Sequence, residues 1–201
     1  MSEPRIGVVY NMAPQPPSEA DTRWFAAGAL TIGIEYRDVN PDDLVELYKD
    51  DPAQLAELLE KSPEGGFADE GVSIHVCGTD DGHEYLRFDL LDDEPHYHYI
   101  SRGAAPGDVV NNVVDFDADA MGDMLPWAIE RLRSRLPAML RAAGGNDLVE
   151  QLDAELVDRV VDEVQAMAEQ ARAAHRAAGE REARQVESGA GVSGIIKGEC
   201  S

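Results

Sequence analysis

Four of the chain's five histidines lie between positions 75 and 98, and three of them sit in one segment, DGHEYLRFDLLDDEPHYHYI, residues 81–100. That segment carries His83, His96 and His98 with Tyr85, Arg87 and Asp89, and the preceding GVSIHVCG adds His75 and Cys77. Imidazole nitrogen, thiolate sulfur and carboxylate oxygen are the ligands that bind zinc, and two histidines with one carboxylate also suit non-haem iron. A metal held this way activates water as a nucleophile. No nucleotide loop, metalloprotease helix, nucleophile elbow or zinc-knuckle spacing accompanies these residues.

Strand alternation decides which of these groups can meet. Over 83–90, Leu86, Phe88 and Leu90 share one face, and His83, Tyr85, Arg87 and Asp89 share the other. Over 95–100, Tyr97 and Tyr99 oppose His96 and His98. With 91–94 as the loop, Phe88 pairs with Tyr97, Leu86 with Tyr99, Asp89 with His96 and Arg87 with His98. The turn GTDDG predicts a type I turn with a glycine bulge, pairing Cys77 with His83, His75 with Tyr85 and Ile74 with Leu86.

Two residues on one strand face stand about 6.7 Å apart, so no single ion reaches all four histidines. Two clusters result: His75, Cys77 and His83, with zinc-type ligands, and Asp89, His96 and His98, with a zinc- or iron-type set. In a catalytic version His83 or Tyr85 acts as acid or base. In a small-molecule version Tyr85, Arg87 and the histidines supply polar contacts. The plain alternative is a solvated sheet face, with Arg87–Asp89, Asp89–His96 and Tyr85–His75 as ordinary neighbours. Arg87 beside His98 opposes a cation there, and Cys77 reads either as an activated thiol or as a half-buried cysteine.

The elements that hold these residues follow from patterning. The arm MAPQPPSEAD is Pro-rich and polar, after a short strand-like piece at 6–10. ALTIGIEYRD alternates Leu30, Ile32, Ile34 and Tyr36 against Thr31, Gly33, Glu35 and Arg37, which predicts a half-buried strand. Asn40 and Pro41 open a helix that Pro52 splits in two. DVVNNVVDF is a further strand candidate. Asp117 caps a helical region running to Arg141, kinked at Pro126 and Pro137. GGND closes it and opens a long helix in which Val157, Val161, Val164, Ala168, Ala171, His175 and Ala178 form a narrow 4-3 seam.

Three partial resemblances attach to these segments. The HYH of residues 96–98 is similar to the His-x-His of cupin barrels, but Ser101 and Arg102 stand where a cupin glutamate belongs and the glycine spacing differs. The tail GVSGIIKGECS resembles the cargo-loading peptides of encapsulin compartments, departing at Lys197 and Glu199. The core HEYLRFD…PHYHYI…DFDADAMGDMLPW resembles a small uncharacterised bacterial family, which implies one unit over roughly 24–143 and no activity.

Forty acidic against seventeen basic residues give a formal net charge of −23. A field of that sign repels phosphate backbones and anionic lipid, so nucleic acid and membrane are poor partners, whereas cations and basic proteins fit. Arg131, Arg133, Arg135 and Arg141 read as a solvated helix face. Two distant cysteines, Cys77 and Cys200, make no disulfide framework, and no apolar run has leader or spanning length, so a cytoplasmic setting is expected.

The expected architecture is α+β. An arm (1–22) precedes a domain (23–143) with a mostly antiparallel sheet of four or five strands and helices on its apolar face. A long helix (146–187) and a flexible tail (188–201) follow. Two functions compete. One is a non-catalytic binding or assembly protein that associates with itself or a protein partner through residues 147–185. The other is a metal-dependent or small-ligand protein using zinc or iron on the His-rich face.

Overall fold

The computed structural model describes residues 7–62 and 66–190. Seven strands form one antiparallel sheet in the order β1-β7-β6-β5-β4-β3-β2. They are β1 (Val9–Tyr10), β2 (Arg23–Ala27), β3 (Leu30–Val39), β4 (Asp69–Gly78), β5 (Glu84–Leu91), β6 (His96–Arg102) and β7 (Val109–Asp115). From β2 to β7 each strand pairs with the next along the chain, and β1 returns to pair with β7. The expected four or five strands are too few. Edge strand β2, RWFAA, lacks the apolar–polar alternation that marks a strand in sequence, and β1 is two residues long within the predicted arm.

The apolar face gathers Ile32 and Ile34 of β3, Val72, Ile74 and Val76 of β4, and Leu86, Phe88 and Leu90 of β5, all essentially inaccessible. Each such side chain contributes about 1.5–3 kcal/mol on burial. They pack against α4 (Met124–Ser134), α5 (Leu136–Ala142) and α7 (Ala154–Ala190). The predicted kinked helix over 117–141 is three helices, beginning with the short α3 (Ala118–Met121). Asp123 caps α4, so Pro126 falls in its first turn, where a missing N–H leaves no bond unmade and produces no kink. Pro137 opens α5 after the break at Arg135.

The long helix is also divided. After α6 (Asn146–Val149) the chain leaves helical geometry until Asp153, whose carboxylate accepts from the Leu156 N–H at 3.0 Å and starts α7. At 37 residues α7 is about 55 Å long. Its predicted seam faces its own domain: Val157, Val161, Val164 and Ala168 are buried in the main core. Farther along, His175 stacks on Tyr36 with ring centroids 4.5 Å apart.

Helices were expected on one face only. Instead α1 (Pro41–Tyr48) and α2 (Pro52–Lys61) join arm residues over the opposite, polar face. Asn40 caps α1 ahead of Pro41 and Pro52 separates the two helices, as the sequence predicts, and Asp51 caps α2. A second small core of Met12, Tyr48 and Leu58 ties helices to arm. The Tyr48 hydroxyl donates to the Ala13 carbonyl at 2.8 Å, and Lys61 reaches the Val9 carbonyl. Among the described residues no helix is long and apolar enough to cross a membrane.

Candidate functional site

Because the arm and α1–α2 cover it, the polar face is a buried layer and not the solvated surface that one-sided alternation suggests. Glu35, Arg37, Ser73, His75, Arg87, Asp89, His98 and Asn111 are all buried. Buried charge is tolerated only when paired and hydrogen-bonded, and two networks supply the pairing.

The first network spans β3, β4 and β5. Arg87, 1% exposed, forks onto Glu84 through Nε at 2.8 Å and Nη2 at 2.6 Å. His75 Nδ1 lies 2.6 Å from Glu84 Oε1, and its Nε2 stands 3.3 Å from Glu35 Oε1, near enough for an ion pair but off hydrogen-bond alignment. Glu35 also pairs with Arg37 and accepts from the Thr22 hydroxyl at 2.7 Å and the Ser18 N–H at 2.8 Å, which fastens the arm to the sheet. Burial alone would raise both carboxyls. His75, Arg37 and Thr22 overcome it for Glu35, and Arg87 and His75 overcome it for Glu84, holding each at about 2.

A pH dependence follows. Carboxyls whose native values lie below their unfolded ones stabilise the fold above the unfolded value, ordinarily near 4.5, and that stability is lost as pH falls toward 2. Acid titration followed by circular dichroism is expected to show a cooperative loss of structure in that window. A Glu35→Gln, Glu84→Gln variant should have a flatter profile, and an unchanged profile would show that these two carboxyls do not set acid stability.

The second network holds Asp89, His96 and His98. The β5–β6 register pairs Asp89 with His96 and Arg87 with His98, as alternation predicts. Asp89 Oδ2 lies 2.8 Å from His98 Nε2 and 3.4 Å from His96 Nε2, while Ser73 donates to Asp89 Oδ1. At their far sides both rings meet oxygen: His96 Nδ1 is 2.7 Å from the Glu94 carbonyl, and His98 Nδ1 is 2.8 Å from Asn111 Oδ1. A backbone carbonyl only accepts, so His96 holds its proton at Nδ1 and turns Nε2 toward Asp89. The Glu94 carbonyl is itself positioned by Asp69, whose carboxylate accepts from the N–H groups of Asp92, Asp93 and Glu94.

Burial would raise Asp89, but His96, His98 and Arg87 hold it well below the carboxylate range. Burial lowers His96 too, yet the Asp89 carboxylate prevails and raises it. For His98 burial prevails and lowers it. Of the two imidazoles, His96 is thus the more readily protonated.

His96, His98 and Asn111 open into a cavity of about 510 Å³. Its other walls are mostly apolar, from Met12 of the arm, Leu44, Tyr48 and Leu58 of α1–α2, and Phe67 and Phe116. Asp89, His96 and His98 are the one group of three among the described residues whose nitrogen and carboxylate atoms all come within 4.8 Å.

The other expected cluster does not assemble. The bulge lies at Val76/Cys77, so β4 pairs Ile74 with Phe88, His75 with Arg87 and Cys77 with Glu84. Glu84 thereby enters the polar layer, and Tyr85 turns into the apolar core, its hydroxyl donating to Asp81 at 2.8 Å. His83 falls outside the strand, with Nε2 3.2 Å from the Ile100 carbonyl and its ring edge-on to Tyr85. Cys77 is buried, and desolvation with the Glu84 charge pushes its thiol up to about 12, so it is not an activated nucleophile. Tyr85 and Arg87, candidate ligand contacts, are bound to Asp81 and Glu84 and line no part of the cavity.

Two contributors went unread in the sequence. Glu84 was hidden by the bulge. Asn111 had a signal, since asparagine is disfavoured inside a valine-rich strand such as VVNNVVD.

Residues 24–168 match a family model described as Domain of unknown function (DUF7700). No curated protein and no solved structure matches the chain. The matched span includes Asp89, His96, His98, Asn111 and both covering helices, while the arm from Met12 to Thr22 lies before it.

Proposed function

The chain belongs to the DUF7700 family, and we propose that it is a metal-dependent small-ligand-binding domain in which Asp89, His96 and His98 hold one divalent transition ion, zinc or iron, at the floor of the cavity. One observation carries this reading. Both imidazoles meet an oxygen acceptor at Nδ1 and direct Nε2 at the same carboxylate oxygen. Metal-bound histidines are oriented in this way, the outer N–H fixed by a carbonyl or carboxylate while the inner lone pair faces the ion. Two imidazoles and one carboxylate would leave coordination positions open for water or a ligand, and both histidines line the cavity.

The assembly reading is weaker, because the residues it relies on, Val157 through Ala168, lie inside this chain's own core. It keeps only the part of α7 beyond His175.

Elemental analysis of untagged protein purified without chelator tests the metal reading. About one zinc or iron per chain is expected, and its loss from a folded His96→Ala, His98→Ala variant. Asn111→Leu should weaken binding about 10–100-fold, as loss of an outer hydrogen bond does. Metal-free protein that takes up neither ion on reconstitution would end this reading. The Asn111 amide would then be turned over, its NH₂ donating to His98 Nδ1 and Nε2–H donating to Asp89.

A further inference from the structure

The cavity has a sign as well as a size. At about 510 Å³ it has the volume of roughly seventeen waters, taking ~30 Å³ each, and falls in the range of small-molecule sites. Around its mouth stand three exposed carboxylates, Asp93, Glu94 and Asp115. Among the described residues none of the three has a cation partner. Apart from the histidines, the cavity's other basic group is Lys61, which is already engaged by Glu57 and the Val9 carbonyl and lies over the Tyr10 ring.

The position of these acids is set by the fold. Asp115 stands directly across from His96 in the β6–β7 ladder, so it shares the cavity face with the histidine. Asp93 and Glu94 are held by their backbone N–H groups on the Asp69 carboxylate, which leaves their own carboxylates outward. The long-range field agrees, since a chain of net charge −23 concentrates cations and repels anions. Inside the mouth, Met12, Leu44, Tyr48, Leu58 and Phe67 offer an apolar wall with aromatic faces, which favour a positive group near them.

From these features we infer that the ligand of this cavity is an organic cation, an amine or guanidine on an apolar or aromatic body. The body lies against the α1–α2 wall and the charge sits among Asp93, Glu94 and Asp115. This rests on the cavity being a ligand site, as proposed above, but not on a metal at its floor.

Three probes with one body and different charge test it: 2-phenylethylamine, 3-phenylpropionamide and 3-phenylpropionate, titrated by calorimetry into the full chain stripped of metal at pH 7. The amine is expected to bind about tenfold or more tighter than the carboxylate, with the amide between them. An Asp93→Asn, Glu94→Gln, Asp115→Asn variant should lose about tenfold for the amine and gain for the carboxylate. A remote variant with the same charge change, Glu150→Gln, Glu155→Gln, Glu163→Gln on the exposed far surface, should bind the amine as the parent does.

The inference is overturned if the carboxylate binds as well as the amine, if the remote variant weakens the amine as much as the rim variant, or if the amine does not bind at millimolar concentration. The metal reading has its own readout. The rim variant is expected to keep its metal content while losing its preference for the amine.

Discussion

An Arg87→Met variant is expected to lose about 3–5 kcal/mol of stability, because it leaves a buried carboxylate without its cation. The guanidinium is almost wholly inaccessible and forks onto Glu84. Methionine replaces most of the stem's volume, so the loss reports charge and not a cavity. Domains of this size are stable by only about 5–15 kcal/mol, so the variant would sit near the folding threshold at 37 °C. Guanidinium unfolding measures the effect. Adding Glu84→Gln removes the stranded charge and should recover a large part of the loss, with a coupling energy of up to about 3 kcal/mol between the two positions. A loss under about 1 kcal/mol for Arg87→Met would mean the polar layer is far better hydrated than its burial indicates.

The second large effect is expected at Gly71, in the interior of the sheet. A Cβ there would lie 2.4 Å from the Leu90 carbonyl oxygen and 2.7 Å from the Leu91 Cα, both backbone atoms of the neighbouring strand. Neither can rotate away, and φ of 158° adds a conformation that side chains disfavour. Gly71→Ala should therefore cost on the order of 3 kcal/mol or more. It should also disturb the loop after Leu91 and with it the Glu94 carbonyl that orients His96. Gly82→Ala is the comparison. Its φ of 62° is also left-handed, but nothing approaches within 4 Å, so about 1–2 kcal/mol is expected. Equal midpoints for the two variants in denaturant would refute the steric argument at Gly71.

The β5–β6 hairpin could be read because residues 86–90 and 96–100 alternate without interruption, and Phe88–Tyr97 and Leu86–Tyr99 are pairs the structure contains. Alternation failed across Val76/Cys77, where one extra residue moves Glu84 into the polar layer and Tyr85 out of it. A bulge leaves no trace in hydrophobic pattern beyond the turn glycine. The covering of the polar face was invisible for another reason. A strand pattern of one apolar and one polar face is identical whether water or a layer of helices lies over the polar side, and the arm and α1–α2 come from segments far from β5 and β6 in sequence. The same distance hid the cavity, whose floor was legible as His96 and His98 but whose roof was not. The α7 seam was legible as a seam and not as to what it packs on, since Val157 to Ala168 would look the same against a sheet or a second helix.

The closing pair of the sheet has a consequence for how the molecule comes into being. Val9 pairs with Asn112 and Tyr10 with Asn111, so the first strand waits for the last while every other ladder joins consecutive strands. During synthesis the meander from β2 to β6 can assemble as it emerges, but β1 has no strand partner until about a hundred further residues have been made. Such a long-range closure adds little to the equilibrium cost and much to the time of folding. Two residues of ladder then close the β1 edge of the sheet, which makes that edge the last strand pairing gained and poorly protected against local opening.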